Sequence, residues 1–387
     1  MKGLVLSADW DPKPTYTPSA WEKQTGKAIT GNAVWRNPKL EVKDVPIPQI
    51  APDQVLIQVK ACGVCGSDMH FYETDAQHYV LYPGLTRFPA ILGHEFSGLV
   101  VAVGDAVQDL QTGDMVTAEE MIWCGHCRPC RDGFPNHCTN LEEIGFTIDG
   151  AFAEYIAIGA RYCWKLNDLL HVCGGDADKV YEMGATVEPS SVSYNCVFER
   201  AGGFRPGATV VVYGQGPIGL TAAAECKAAG AARVIAFEVS APRREVSKAM
   251  GADLVYDPRQ VNPVEVVMDL THGRGADLQV EAAGAPDKTI PYMEQCMAIN
   301  GKIAQVGRAA TRVPMYLEML QVRRGQVFGS QGHSGHGIFP SVIAMMAAGL
   351  IDTRKMITAR YALDDVIDAI AQSTARTDAK IMVKMGI

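Results

Sequence analysis

The stretch Thr209-Val210-Val211-Val212-Tyr213-Gly214-Gln215-Gly216-Pro217-Ile218-Gly219 decides the fold of the second half of the chain. Its β-branched run predicts a strand over 208–213, and the Ala-rich sequence at 220–229 predicts a helix, with a glycine turn between them. Alone, G-x-G-x-x-G is a weak signal. Set between strand and helix, and followed by a second strand-like run at 233–237 that ends in Glu238, it describes a dinucleotide turn. Gly214 permits the tight turn, Gly216 lets the backbone approach a pyrophosphate, and Gly219 lets the helix pack closely on the strand. Pro217 and Ile218 open the helix whose N-terminus stabilises the anion. Glu238 would accept hydrogen bonds from an adenosine ribose and repel a 2′-phosphate, which favours NAD, although Arg243 and Arg244 nearby leave NADP open.

Outward from this turn the βα rhythm continues. Residues 254–256, 278–280, 303–306 and 327–329 read as strands, and 262–272 and 287–298 as helices, the first with Asn262 as cap and Pro263 at its first position. Together they predict a six-stranded, doubly wound parallel sheet over 190–330. Glu281-Ala282-Ala283-Gly284 and Gln305-Val306-Gly307 fall at strand ends, where they line a nicotinamide or simply make turns. Beyond Ser330, the glycine-histidine sequence of 332–337 reads as a flexible loop with polar tips. Helices near 338–348 and 363–373 and a last strand near 380–385 follow.

The first half reads as mainly β. An apolar run opens the chain, a polar, aromatic-bearing insertion at 9–32 predicts an ordered surface loop or short helix, and 40–45 and 55–60 alternate as half-buried antiparallel strands. Cys65-Gly66-Ser67-Asp68-Met69-His70 offers a thiolate, a hydroxyl, a carboxylate and an imidazole. Such groups can bind a metal, hold it in orientation and carry a proton away, though a lone cysteine is equally a small buried apolar residue. Gly93 can turn His94 and Glu95 back toward Cys65. The sharpest local pattern is Cys124, Cys127, Cys130 and Cys138, spaced C-x2-C-x2-C-x7-C. Four thiolates wrap a tetrahedral ion, and a site saturated with protein ligands is structural. An iron-sulfur cluster is the rival, but its bacterial run has three residues before the last cysteine and a proline after it, where this chain has seven and Thr139.

Composition sets limits. With 387 residues, 48% of them hydrophobic and 20% charged, the chain has the make-up of an ordinary two-domain globular protein. A net charge of -8 gives no footprint for nucleic acid or an anionic membrane. The short apolar opening predicts neither an export signal nor a membrane span, so a cytoplasmic protein is expected, and its eleven cysteines are read as metal ligands and core residues rather than disulfides.

The ordered set of Cys65 to His70, Gly93-His94-Glu95, the four-cysteine lobe and Gly214 to Gly219 resembles the zinc-containing medium-chain alcohol and polyol dehydrogenases over nearly the whole chain. The resemblance implies an α/β protein with a GroES-like β-barrel catalytic domain from 1–189 and 331–387, a zinc lobe near 120–140, a Rossmann domain at 190–330 and an active site in the cleft. It implies two Zn2+ per chain and NAD. Cys65 and His94 would bind the catalytic zinc with Asp68 orienting His94, while Ser67 would take the substrate proton and pass it through the cofactor ribose to His70. Where simple alcohol dehydrogenases carry a second cysteine, this chain has Glu188, as in polyol dehydrogenases, and Glu95 would compete or alternate with it. Glu119 and Glu120 stand where simple alcohol dehydrogenases have apolar pocket residues, which suits a polyhydroxylated substrate. The insertion and Glu119-Glu120-Met121-Ile122-Trp123 resemble scyllo-inosose dehydrogenases. L-threonine or a simple alcohol is the alternative substrate, and an NAD-binding interaction protein without catalysis is the reading from another class. A homodimer or homotetramer is the family expectation.

Overall fold

In a computed structural model, residues 1–308 and 312–386 are described. They form two compact units, one of Met1–Glu188, Ala359–Arg376 and Lys380–Ile387, the other of Pro189–Thr358 and Thr377–Ala379. The segment after Ser330 continues the second unit as far as Thr358: Thr353–Met356 packs on the helices Pro217–Ala228 and Ala241–Ala249. The glycine-histidine sequence of 332–337 reads as a flexible loop with polar tips. Instead, His333 within it is buried and its ring lies 5.2 Å from that of Phe339.

The second unit holds a six-stranded sheet in the order Leu254–Tyr256, Arg233–Phe237, Thr209–Tyr213, Ala276–Glu281, Met297–Gln305 and Gln326–Gly329. All neighbours are parallel. Both faces of the central strand are covered, so Val210, Val211 and Val212 are each fully buried. This is why the strand reads as a continuous apolar run instead of an alternating one. Burial of each such side chain contributes about 1.5–3 kcal/mol.

The first unit is built on antiparallel pairs. Strand Gln54–Gly63 alternates half-buried and buried positions and pairs along its length with Glu95–Val103. Its other edge is shared, with Tyr155–Gly159 along its first half and Lys380–Lys384 along its last three residues. The chain's far end is thereby brought against Gly63 and Val64, just before the Cys65 helix. The insertion is ordered, as expected: Ser19 and Glu22 form a capping box on helix Ala20–Thr25. The buried Glu22 carboxylate also accepts hydrogen bonds from Tyr16 Oη and Ile29 N. No helix among the described residues is long and apolar enough to cross a membrane.

Candidate functional site

The chemistry-bearing helix, Gly66–Tyr72, is short, and Asp68 secures its start by accepting a hydrogen bond from Cys65 N at 2.9 Å. His94 and Glu95 arrive from another element. Gly93 has φ +91°, and a Cβ there would lie 2.7 Å from Phe152 N, so only glycine makes this turn. One ligand atom each from Cys65, His94 and Glu95 then lies within 4.8 Å of the others. His94 and Glu95 are buried, and His94 Nδ1 has no hydrogen-bond partner among the described residues.

The electrostatics of the cluster are those of an anionic nest. Burial disfavours a charged His94 ring, yet Cys65, Asp68 and Glu188 together hold its pKa well above the ordinary value. Burial pushes Asp68 up to about 6, against the opposing pull of His94 and the Cys65 N–H. Asp68 therefore acts on His94 through charge, while its hydrogen bond goes to the Cys65 backbone. Glu188 opens helix Val187–Tyr194, and its carboxylate lies within 4.8 Å of that of Glu120. Of the acidic pair, Glu119 is engaged elsewhere: its two oxygens accept from Trp123 Nε1 at 3.1 Å and Trp164 Nε1 at 3.2 Å. Ser67 Oγ is buried without a hydrogen-bond partner among the described residues.

The four lobe cysteines also converge to within 4.8 Å. Gly125, at φ +81°, turns the chain between the first two of them. Backbone N–H groups point at sulfur: Cys127 N to Cys124 Sγ, Cys124 N to Cys138 Sγ and Asn140 N to Cys138 Sγ, each at 3.3 Å. Although burial works against the thiolate, the N–H groups of His126 and Cys127 pull Cys124 down to about 5, and the Cys130 N–H brings Cys127 to about 7. Burial pushes Cys130 up to about 12, so the four titrate as a set. Arg128 is turned to Asp132.

In the second unit, Gly214 has φ +87°, and a Cβ on it would lie 2.6 Å from Ala283 Cα. A Cβ on Gly219 would lie 1.9 Å from Gly214 O, the close helix-to-strand approach expected of the third glycine. Above Gly216, by contrast, the space is open: the nearest atom to a Cβ there is Arg243 Nη1 at 3.9 Å. The turn thus presents the N-terminus of helix Pro217–Ala228 and a guanidinium to one cradle. Glu238 follows strand Arg233–Phe237 and accepts from Gln215 N at 2.6 Å and Ser240 N at 2.7 Å. Arg243 Nε donates to Asp378 O.

Sequence models for the alcohol dehydrogenase GroES-like domain and for zinc-binding dehydrogenase match residues 51–168 and 217–348. Scyllo-inosose 3-dehydrogenase of Thermotoga maritima is 47% identical over 100% of this chain and 99% of its own. The chain belongs to the zinc-binding dehydrogenases. Among solved structures, one from Thermotoga maritima assigned as an alcohol dehydrogenase has a TM-score of 0.95 and 46% identity over 99% of both chains. Another, assigned as a zinc-binding dehydrogenase from Sinorhizobium meliloti and bound to NADP, has a TM-score of 0.78 and 29% identity, covering 92% of this chain and 98% of its own.

As a zinc-binding dehydrogenase, this chain offers donor sets that fit the metal. Four thiolates with N–H···S support suit a closed structural site, and sulfur, nitrogen and carboxylate oxygen together suit an open one. The open cradle at Gly216 fits a pyrophosphate. One residue beside the Cys65–His94–Glu95 cluster was not singled out in the sequence. Lys380, fully buried on strand Lys380–Lys384, donates to Glu95 Oε2 at 2.5 Å and to Val64 O at 2.9 Å. A Cβ on Gly63 would come within 2.2 Å of the same Glu95 oxygen. Glu95 is therefore gripped from two sides. The one available signal was the pair of lysines that flank the apolar Ile381-Met382-Val383 in this strand.

Proposed function

We propose that the chain transfers hydride between NAD and a secondary alcohol or ketone of a polyol, sugar or cyclitol, with an inosose as the leading candidate. The observation that carries this reading is the Cys65–His94–Glu95 cluster, half-buried at Cys65 and buried at His94 and Glu95, with the Glu120 and Glu188 carboxylates side by side in the same unit. Cys65 and His94, with a carboxylate from Glu95 or Glu188, would hold zinc, which would supply Lewis-acid chemistry of the kind that lowers the pKa of water from about 15.7 to about 7, and a bound nicotinamide would supply the hydride acceptor.

The chain's own groups do the rest. Ser67 Oγ takes the hydroxyl proton, consistent with its lack of a hydrogen-bond partner among the described residues, and hands it toward His70 on the same helix and then to water. Asp68 fixes the start of that helix and biases the charge of His94. Glu120 accepts hydrogen bonds from further substrate hydroxyls, a role for which an ethanol-sized molecule offers nothing. Gly214, Gly216 and Gly219, with Pro217 and Ile218, seat the dinucleotide, and Glu238 receives its ribose. The identity to scyllo-inosose 3-dehydrogenase supports the cyclitol end of this range.

An oligomer and a cytoplasmic location complete the reading. Ile299, Leu317, Val322 and Val327 are exposed on and around the sheet edge, an apolar surface that suits a second copy. Eleven cysteines, all free, suit a reducing compartment. The test is a panel of inositols, inososes, polyols, aldoses, ethanol and threonine, assayed for NAD reduction or NADH oxidation with and without a chelator. Chelator-sensitive turnover highest on a cyclitol or polyol is expected; highest turnover on threonine or ethanol overturns the substrate class, and no turnover on any overturns the activity.

A further inference from the structure

Beside Glu238 lies a second carboxylate that the function has not used. Asp257 follows strand Leu254–Tyr256, the neighbour of the strand that leads to Glu238, and Glu238 N donates to Tyr256 O. Its side chain is 2% exposed and holds two arginines. Arg259 Nε donates to Oδ1 at 2.9 Å and Arg259 Nη2 to Oδ2 at 2.6 Å, a bidentate fork. Arg244 Nη1 donates to Oδ2 at 3.1 Å. Both guanidiniums also reach the chain at the end of the Glu238 strand: Arg244 donates to Glu238 O and Val239 O, and Arg259 to Val239 O.

The arrangement matters because a guanidinium fork suits a phosphate as well as it suits a carboxylate. An arginine at the end of this strand is the group that would accommodate a 2′-phosphate, and an acidic side chain there is the group that would select a free 2′-hydroxyl. This chain carries both. Arg259 has a side chain 65% exposed and so could swing, whereas Arg244, at 20%, is braced. Arg259 nevertheless spends its fork on Asp257. The ion pair is tight in both directions: the Arg259 hydrogen bond, with Arg244 behind it, holds Asp257 far below the usual carboxylate range, and Asp257 raises Arg259. Glu238 is close enough to add to the field on Arg259.

We propose that Asp257 is a specificity-determining residue for the cofactor: by holding the Arg259 guanidinium it withholds the cation a 2′-phosphate needs, and so reinforces the choice of NAD over NADP made by Glu238. The inference rests on the reading of Glu238 as the ribose-facing carboxylate. Two carboxylates then share the selection, Glu238 by direct repulsion and Asp257 by occupying the competing receptor.

The test is equilibrium binding of NADH and NADPH to the zinc-loaded full chain, followed by nicotinamide fluorescence. Asp257→Asn keeps an oxygen for the turn bond from Arg259 N but removes the charge. It should shift the NADPH-to-NADH affinity ratio toward NADPH by about tenfold, the scale of one charge-assisted hydrogen bond. Adding Arg259→Ala should cancel the shift. Arg259→Ala alone, a change at an exposed side chain that keeps its reading even where Asp257→Asn misfolds, should leave the ratio within about twofold of the native one. An unchanged ratio in Asp257→Asn that still binds NADH, a shift that survives removal of Arg259, or a larger change from Arg259→Ala alone each overturns the proposal. A native chain that binds neither dinucleotide would instead overturn the function on which it rests.

Discussion

The two donor clusters of the first unit differ in composition, support and satisfaction. At Cys124, Cys127, Cys130 and Cys138 every ligand is sulfur, the backbone N–H groups already point at it, and the loop is largely at the surface. At Cys65, His94 and Glu95 the ligands are mixed and come from separate elements. His94 Nδ1 and Ser67 Oγ are buried there without a hydrogen-bond partner among the described residues. Unsatisfied buried polar atoms cost about 1–3 kcal/mol each, so a fold retains them where something else is to be bound. On the proposed function, the saturated cluster would hold a loop together and the unsaturated one would meet the substrate.

Mutations can break or sharpen that contrast, and their effects on turnover should fall in a definite order. Cys65→Ser or His94→Ala should reduce turnover to background, well beyond the roughly 100-fold typical of groups that only orient a ligand, while NADH still binds by fluorescence. Ser67→Ala and His70→Ala should each slow kcat by about 10²–10⁴, the range for general acid–base groups. The His70→Ala deficit should be greater at low pH, where release of the substrate proton is harder; an unchanged pH-rate profile would remove His70 from the relay. Asp68→Asn, which keeps an oxygen for the Cys65 N–H, should cost about 10–100-fold, read as a loss of kcat and of zinc affinity together. The smallest effect on turnover should come from Cys127→Ser. It should lower Tm, by about 2–4 °C per kcal/mol lost, yet leave kcat per folded chain close to native. A Cys127→Ser protein that is fully folded and inactive would erase the distinction between the clusters.

What could be read from the sequence followed from how local each constraint is. The conformational demands on Gly214 and Gly219 depend on a few residues of backbone, and the structure shows a positive φ at the first and a contact that excludes a Cβ at the second, together with the six parallel strands. The lobe was legible for the same reason. Lys380 was not, because its partner Glu95 lies 285 residues away and no periodicity connects them. The different engagements of Glu119 and Glu120 were equally hidden: adjacent in sequence, one faces two indoles and the other a carboxylate on a different helix. Nothing in the sequence singles out Asp257 and Arg259. Their meaning comes from the parallel neighbour strand that sets them beside Glu238. The burial of His333 and Ser334 was hidden too, because a run of glycines and histidines reads as a flexible loop with polar tips.

A zinc count tests the proposed catalytic metal centre most directly. Metal analysis of the purified full chain should give two zinc ions per chain, and the same analysis of folded Cys65→Ser should give one, with NADH binding retained and turnover lost. One zinc in both proteins, or two in both, would contradict the assignment of the Cys65–His94 cluster as the catalytic metal centre.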